Sequence, residues 1–364
     1  MIPVQILTGF LGSGKTTLLA RLLADPAMGD TAVLINELGE VGIDHLLVRR
    51  LEEDVVLLES GCLCCTVRNE LVETLADLAA RRAAGDLPAF RRIVIETTGL
   101  ADPAPIVHTL MTDARLVPHM RLAGLTTTVD ATHGEATLAT WPEAVKQAAM
   151  ADRLVMTKTD LTEPFLRERL WTRLAALNPA AQRFEASRDA GPSPAALFEG
   201  EIFGLDARNA DVNTWLAAEA AASHDHHAHR LDAHHDDESD AHAPDRHSDR
   251  VASFCLRADA PLDWPTLTQW LELLLAARGE QILRLKGVLN VRGRTRPVVV
   301  HGVQHVLYPP EELLAWPDDD HASRLVFITR DLTRSAVERS FARVVAGVGR
   351  NERSELRRTD RMNS

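Results

Sequence analysis

The sequence predicts an α/β domain, with a mostly parallel sheet flanked by helices, followed by a smaller α+β domain. Three observations carry this. The chain has 364 residues, more than one compact domain usually holds. Short β-branched runs alternate with amphipathic helical stretches through its first half, the pattern of a parallel sheet covered on both faces. An abrupt polar segment then separates that half from a second run of strands. Hydrophobic residues at 45% and charged residues at 25% are ordinary for a folded chain. A net charge of −12 argues against a basic nucleic-acid surface and against docking on anionic membranes. Phosphate chemistry would therefore need a local site.

Taken in order, the predicted strands are Val4–Leu7, Ala32–Ile35, Val55–Leu58, Ile93–Ile95, Leu122–Val129 and Leu154–Met156. The predicted helices are Thr16–Leu23, Asn69–Ala84, Pro103–Leu110, Pro142–Met150 and Glu163–Asn178, with a further strand over Gln182–Ala186. The first domain spans 1–218. Residues 219–250 form a flexible linker, because from His224 to Arg250 almost nothing is apolar and chain entropy goes uncompensated. Residues 251–348 form the α+β domain, with strands at Val251–Leu256, Gln281–Val291, Pro297–His301, Gln304–Tyr308 and Leu325–Thr329. Its first helix, Trp264–Ala277, carries Leu267, Trp270, Leu271, Leu274 and Leu275 on one face, and its last runs from Ser335 to Val345. Cys255, beside Phe254 and Leu256, reads as a packed core residue, and 349–364 as a frayed tail.

The opening Met1–Thr8 lacks a positively charged start and is broken by glycines before it could span a membrane, so it reads as a strand rather than a signal peptide. Three of the four cysteines crowd into Gly61-Cys62-Leu63-Cys64-Cys65, too close for easy disulfide geometry, which suits a reducing cytoplasm.

Gly9-Phe-Leu-Gly12-Ser13-Gly14-Lys15-Thr16 fits the G-x-x-x-x-G-K-[ST] phosphate loop between a strand and a helix. Its glycines let backbone N–H groups turn toward phosphates at a helix N-terminus. Lys15 would neutralise the β- and γ-phosphates, and the Thr16 hydroxyl would join a magnesium shell. Glu96, closing the strand Arg92–Glu96, would position magnesium or water, and Gly99 would offer its N–H to the γ-phosphate. The alternative for Glu96 is a cap on the following helix.

Thr157-Lys158-Thr159-Asp160 resembles the Asn-Lys-x-Asp guanine motif. A carboxylate at Asp160 accepts the N1 and N2 hydrogens of guanine but would face a lone pair on adenine. Thr157 in place of Asn loses an amide able to bridge loops and guanine N7. Ser187-Arg188-Asp189-Ala190 is a second loop for the base or ribose.

Cys62, Cys64 and Cys65 precede a predicted helix, whose N-terminus favours the thiolates that bind zinc. Three thiolates are one short of a closed zinc shell, so the fourth ligand comes from a carboxylate such as Glu37, a histidine, water or a partner. A metal-free cysteine cluster or a redox-sensitive loop are the alternatives.

With these motifs in place, the sequence resembles the CobW-like family of GTPases, also described as nucleotide-dependent zinc metallochaperones and metal insertases. The resemblance rests on the loop from Gly9 to Thr17, Asn36-Glu37-Leu-Gly-Glu40-Val-Gly-Ile-Asp44, Gly61–Cys65, Glu96–Pro103 and Thr157–Asp160, in order and at family spacing. Leu38 stands where the family commonly has Phe, and Thr157 where it commonly has Asn. The resemblance implies a P-loop NTPase fold and GTP and GDP as ligands. It also implies that GTP binding rearranges 36–44 and the cysteine loop, with hydrolysis accompanying transfer of metal to a client metalloprotein. Glu37, Glu40 and Asp44 could serve magnesium or zinc, or be a solvated acidic turn. A cobalt-handling protein for cobalamin synthesis or nitrile hydratase activation, and a metal-sensing or storage protein with nucleotide as structural ligand, remain rival readings, as does a P-loop kinase. A homodimer stays open.

Eight of the fifteen histidines lie between His224 and His247, interleaved with acids, and the stretch 224–250 carries −5 of the net charge. Imidazoles beside carboxylates make either a loose chelator for zinc, nickel or cobalt or a merely solvated linker.

Overall fold

The computed structural model describes residues 1–36, 56–60, 67–198 and 251–344. The predicted sites at Glu37, Glu40, Asp44, Cys62, Cys64, Cys65 and the histidine-rich stretch lie outside the described residues, as do the edges assigned to the linker and the tail. The chain divides into two compact units, 1–211 and 212–364, and each is taken by itself.

Among the described residues of the first unit, seven parallel strands form one sheet: β1 (Ile2–Gly9), β2 (Thr31–Asn36), β3 (Val56–Ser60), β4 (Arg92–Glu96), β5 (Met120–Asp130), β6 (Arg153–Thr157) and β7 (Gln182–Glu185). Their spatial order is β3-β2-β4-β1-β5-β6-β7. The order reverses beside β1, and ligands of open α/β sheets bind outside the carboxyl ends of the strands at such a switch point. Covering helices include α1 (Lys15–Leu23), α2 (Val67–Ala84), α3 (Ala104–Thr112), α4 (Gly134–Thr140), α5 (Pro142–Met150), α6 (Pro164–Leu177) and α7 (Pro194–Phe198).

Successive strand residues face opposite sides of the sheet. Val155 therefore joins Leu18, Leu22, Val33 and Val94 in a core beneath α1. Leu154 and Met156 join Ala144, Ala148, Leu170 and Leu174 in a second core beneath α5 and α6. The unbroken apolar runs in the sequence are what burial on both faces requires. The short helices α4 and α7 had no marked periodicity, since five to seven residues hold barely two turns.

The second unit is an antiparallel sheet in the order β11-β10-β9-β13-β8, with β12 also paired to β10. Its strands are β8 (Val251–Ala258), β9 (Ile282–Leu289), β10 (Val298–Val303), β11 (Val306–Leu307), β12 (Glu311–Glu312) and β13 (Ser323–Arg330). Helix α8 (Trp264–Arg278) and a helix over 334–344 pack on one face through Leu267, Leu271, Leu275, Val337 and Phe341, with Phe254 stacked on Phe327 at 5.6 Å. Asp263 caps α8 by accepting hydrogen bonds from Thr266 N at 3.1 Å and its hydroxyl at 2.6 Å, which hold its carboxyl below the usual range. The expectation for Cys255 is corrected: Phe254 and Leu256 face the core, so strand alternation turns Cys255 to the other side, where it is half-buried with Sγ 3.4 Å from the Leu256 carbonyl.

No helix among the described residues is long and apolar enough to cross a membrane.

Candidate nucleotide site

β1 ends at Gly9, and the chain turns through residues 10–14 into α1. Gly12 and Gly14 take left-handed backbones at φ 72° and 86°, which a side chain disfavours. Gly9 is held by contact as well: a Cβ there would lie 2.3 Å from Thr128 Oγ1 and 2.5 Å from the Thr128 carbonyl. The loop is thus pressed against β5. The hydroxyls of Ser13 and Thr128 share a buried hydrogen bond of 2.7 Å, and Thr128 donates on to the Thr8 carbonyl at 3.3 Å.

Lys15 is buried at the start of α1, its ammonium donating to the carbonyls of Gly9 at 2.9 Å and Phe10 at 3.3 Å. A cation is thereby fixed inside the curl of the loop, where polyphosphate oxygens would meet it. At the next position of the helix, Thr16 Oγ1 donates to Glu96 Oε1 at 2.5 Å. Glu96 is only 2% exposed, on the last residue of β4, so the predicted pair of Thr16 and Glu96 does come together. An ionised carboxylate and a hydroxyl in contact are hard oxygen donors of the kind magnesium takes, alongside water and phosphate oxygens. The capping alternative for Glu96 is not what its Oε1 does here.

Beyond Glu96, Thr97 is tied to β1 through Thr8 Oγ1 at 2.7 Å and the Leu7 carbonyl at 2.9 Å. The loop then brings Gly99 against the phosphate loop: a Cβ at Gly99 would fall 2.6 Å from Leu11 N and 2.7 Å from its Cα. Only a residue without a side chain fits this approach.

The end of β6 carries Thr157 to Asp160, the segment expected to read the base. Thr157 Oγ1 donates to the Ser13 carbonyl at 2.7 Å and lies 3.5 Å from where a Gly14 Cβ would sit. The expected loss of a loop-bridging group at this position is therefore corrected, because the hydroxyl bridges the two loops itself. Lys158 adopts a left-handed backbone, φ 57°, rare outside glycine and a mark of sites whose surroundings impose it. Its ammonium donates to Asp130 Oδ2 at 2.7 Å. Asp160, on the exposed surface, accepts from Arg188 N at 3.2 Å, so the 187–190 loop does sit beside the base motif. Arg21 holds that loop by donating to Ala190 O at 2.7 Å and Ser187 O at 3.3 Å. Thr17 is on the exposed side of α1.

Asp130 and Gln147 were missed from the sequence. Asp130 ends a buried, threonine-rich strand just as Glu96 ends its own, and that parallel was the available signal. Burial alone would raise its pKa; hydrogen bonds from Lys158 and from Thr132, N at 2.7 Å and Oγ1 at 2.6 Å, overcome this and hold the carboxyl below the usual range. Protonation in the folded chain thus requires a lower pH than in the unfolded chain. The contribution of Asp130 to stability is complete above the ordinary carboxylate range and is lost as pH falls through the depressed value. Asp130→Asn is expected to weaken guanine nucleotide binding about threefold to tenfold at neutral pH by loosening Lys158. In the unaltered chain, calorimetric titration should show no such loss from neutral pH down to the ordinary carboxylate range. Phe10, Ser13, Asp130, His133, Gln147 and Lys158 contribute to the walls of a cavity of about 270 Å³ beside the phosphate loop.

Among the described residues, no group of three or more His, Cys, Asp and Glu side chains is placed to hold a metal ion.

A glycine-rich loop with a buried lysine and a threonine on a strand-end carboxylate, at the switch point of a parallel sheet, define a P-loop nucleotide-binding protein. Residues 3–185 match the CobW/HypB/UreG nucleotide-binding domain, and residues 251–345 match the cobalamin synthesis protein cobW C-terminal domain. The chain belongs to the CobW family. It is 31% identical over 341 residues to the zinc chaperone YjiA of Escherichia coli, covering 94% of this chain and 98% of that protein. It is also 31% identical to the zinc chaperone CobW of Pseudomonas aeruginosa, over 95% and 92% of the two chains. The crystal structure of Zn(II)-bound YjiA GTPase from E. coli superposes with a TM-score of 0.68 at 27% identity, over 94% of this chain and 98% of that one.

Proposed function

We propose that this chain is a GTP-hydrolysing metallochaperone that binds zinc at Cys62, Cys64 and Cys65 and delivers it to a client metalloprotein. The observation that carries the nucleotide half is the joining of Thr16 to Glu96 beside the buried Lys15. A cation, a hydroxyl and a carboxylate stand close to the loop there, which supports reading it as the seat of the β- and γ-phosphates. Magnesium, when bound, would supply charge neutralisation of those phosphates, held by Thr16 with Glu96 on its water shell. Lys15 neutralises the polyphosphate, Glu96 orients water, Gly99 offers its N–H, and Asp160 with Lys158 and Thr157 holds guanine. The names of the full-length relatives, zinc chaperones, support zinc as cargo over cobalt.

The donor set supports this choice as well. Thiolates are soft ligands matched to zinc, and Glu37 is the candidate that completes the shell. Cys64→Ser or Cys65→Ser is expected to abolish the tight zinc site, at least about a hundredfold in affinity, with GTP and GDP binding changed less than about threefold. Competition with a chromophoric chelator measures it, and unchanged zinc affinity would sink the assignment. Deleting 224–247 should remove only the weaker equivalents.

A further inference from the structure

Gln147 lies on α5 at 0% exposure, among Ala144, Ala148 and Met150. An amide in an apolar helix face is costly unless hydrogen bonds replace the water it gave up. Its Nε2 supplies both of its hydrogens to one loop, the Gly99 carbonyl at 3.2 Å and the Ala101 carbonyl at 3.0 Å. This is the loop whose Gly99 abuts Leu11 of the phosphate loop. Next to Gln147, Lys146 donates to Asp102 at 2.5 Å, and Asp102 in turn accepts from Ala104 N at 3.0 Å.

The turn of helix that bears Gln147 is itself fastened. Thr127 Oγ1 donates to the Gln147 carbonyl at 2.8 Å, and the adjacent Thr128, facing the other side of β5, holds Ser13 of the phosphate loop at 2.7 Å. A continuous path thus runs from the phosphate loop across β5 to α5 and back to the loop at 97–103. Holding the carbonyls of Gly99 and Ala101 restrains the orientation of two peptide planes in this loop.

We propose that Gln147 is a positioning residue that clamps the loop 97–103, setting where Gly99 meets the γ-phosphate and coupling that loop to the phosphate loop. The inference rests on the reading of this site as one that hydrolyses GTP. The amide N–H groups of Gln147 act through the backbone carbonyls of Gly99 and Ala101.

The test compares Gln147→Met, which keeps the length and removes the donors, with Gln147→Glu, which turns an acceptor toward two carbonyls. Hydrogen exchange over 97–103 is followed with and without a non-hydrolysable GTP analogue, beside steady-state turnover, GDP affinity and thermal melting. Both variants should exchange roughly tenfold faster in this segment and lose roughly tenfold in kcat, with KM for GTP and GDP affinity within about twofold. In Gln147→Glu, lowering the pH should restore part of the clamp, since a protonated carboxyl regains one donor. Unchanged exchange at 97–103 in either folded variant would overturn the proposal. Faster exchange throughout residues 67–198 together with lost GDP binding would also overturn it, as the sign of a packing role alone. Absence of GTP turnover in the unaltered chain would instead sink the functional reading, and the exchange arm would still decide the clamp.

Discussion

Lys15→Ala is expected to lower GTP hydrolysis by about a hundredfold or more and to weaken GTP binding more than it weakens overall folding. Two losses combine. The ammonium sits inside the curl of the phosphate loop, so its removal takes away a positive charge that would meet the developing charge on the transferring phosphoryl. The same ammonium bonds the carbonyls of Gly9 and Phe10, and without it the curl itself opens. Lys15→Arg should not rescue, because a planar guanidinium presents its donors in a fixed fork rather than as a compact point charge. Phosphate release from purified protein, with and without zinc, measures the effect. Turnover by Lys15→Ala equal to that of the unaltered chain would favour the rival reading, a storage or sensing protein with nucleotide as a structural ligand. Equal affinity of the unaltered chain for ATP and GTP would instead revive a kinase.

Gly99→Ala is expected to have the second largest effect, and for a reason that is steric. The added Cβ would meet backbone atoms of Leu11 at 2.6 and 2.7 Å, and backbone cannot swing aside as a side-chain tip can. Overpacking of this kind costs about 1–3 kcal/mol, which for a unit of this size lowers Tm by about 2–4 °C for each kcal/mol. The functional loss should exceed what that cost implies, because relief comes by separating the two loops that would share the γ-phosphate. The expected signature is therefore loss of preference for GTP analogues over GDP, read by calorimetry, with GDP binding retained. Retained discrimination in a folded variant would show that this loop does not sense the γ-phosphate.

Local chemistry made much of the phosphate site legible. A strand, a glycine-rich turn and Lys15-Thr16 at a helix start are contiguous, so one short window contains the whole device. Glu96 was readable for a similar reason, since an apolar strand closing on a carboxylate places it at the carboxyl edge of the sheet. The role of Thr157 was read less well. The missing amide was visible, whereas the contact from its hydroxyl to the Ser13 carbonyl depends on β6 lying two strands from β1. Gln147 left only a faint mark, a lone amide in a run of alanines, because its partners are some forty-six to forty-eight positions away.

By itself, then, the sequence determined the fold class, the phosphate loop and the family, because periodicity and contiguous motifs are local properties of the chain. Only the tertiary structure decided that Glu96 receives the Thr16 hydroxyl, that Asp130 holds Lys158, that Cys255 turns away from the core and that Gln147 grips the loop bearing Gly99. Each of these depends on strand order or on which face of a strand or helix a residue takes. Such relations arise when buried polar groups must find partners across the sheet, and no spacing along the chain specifies them.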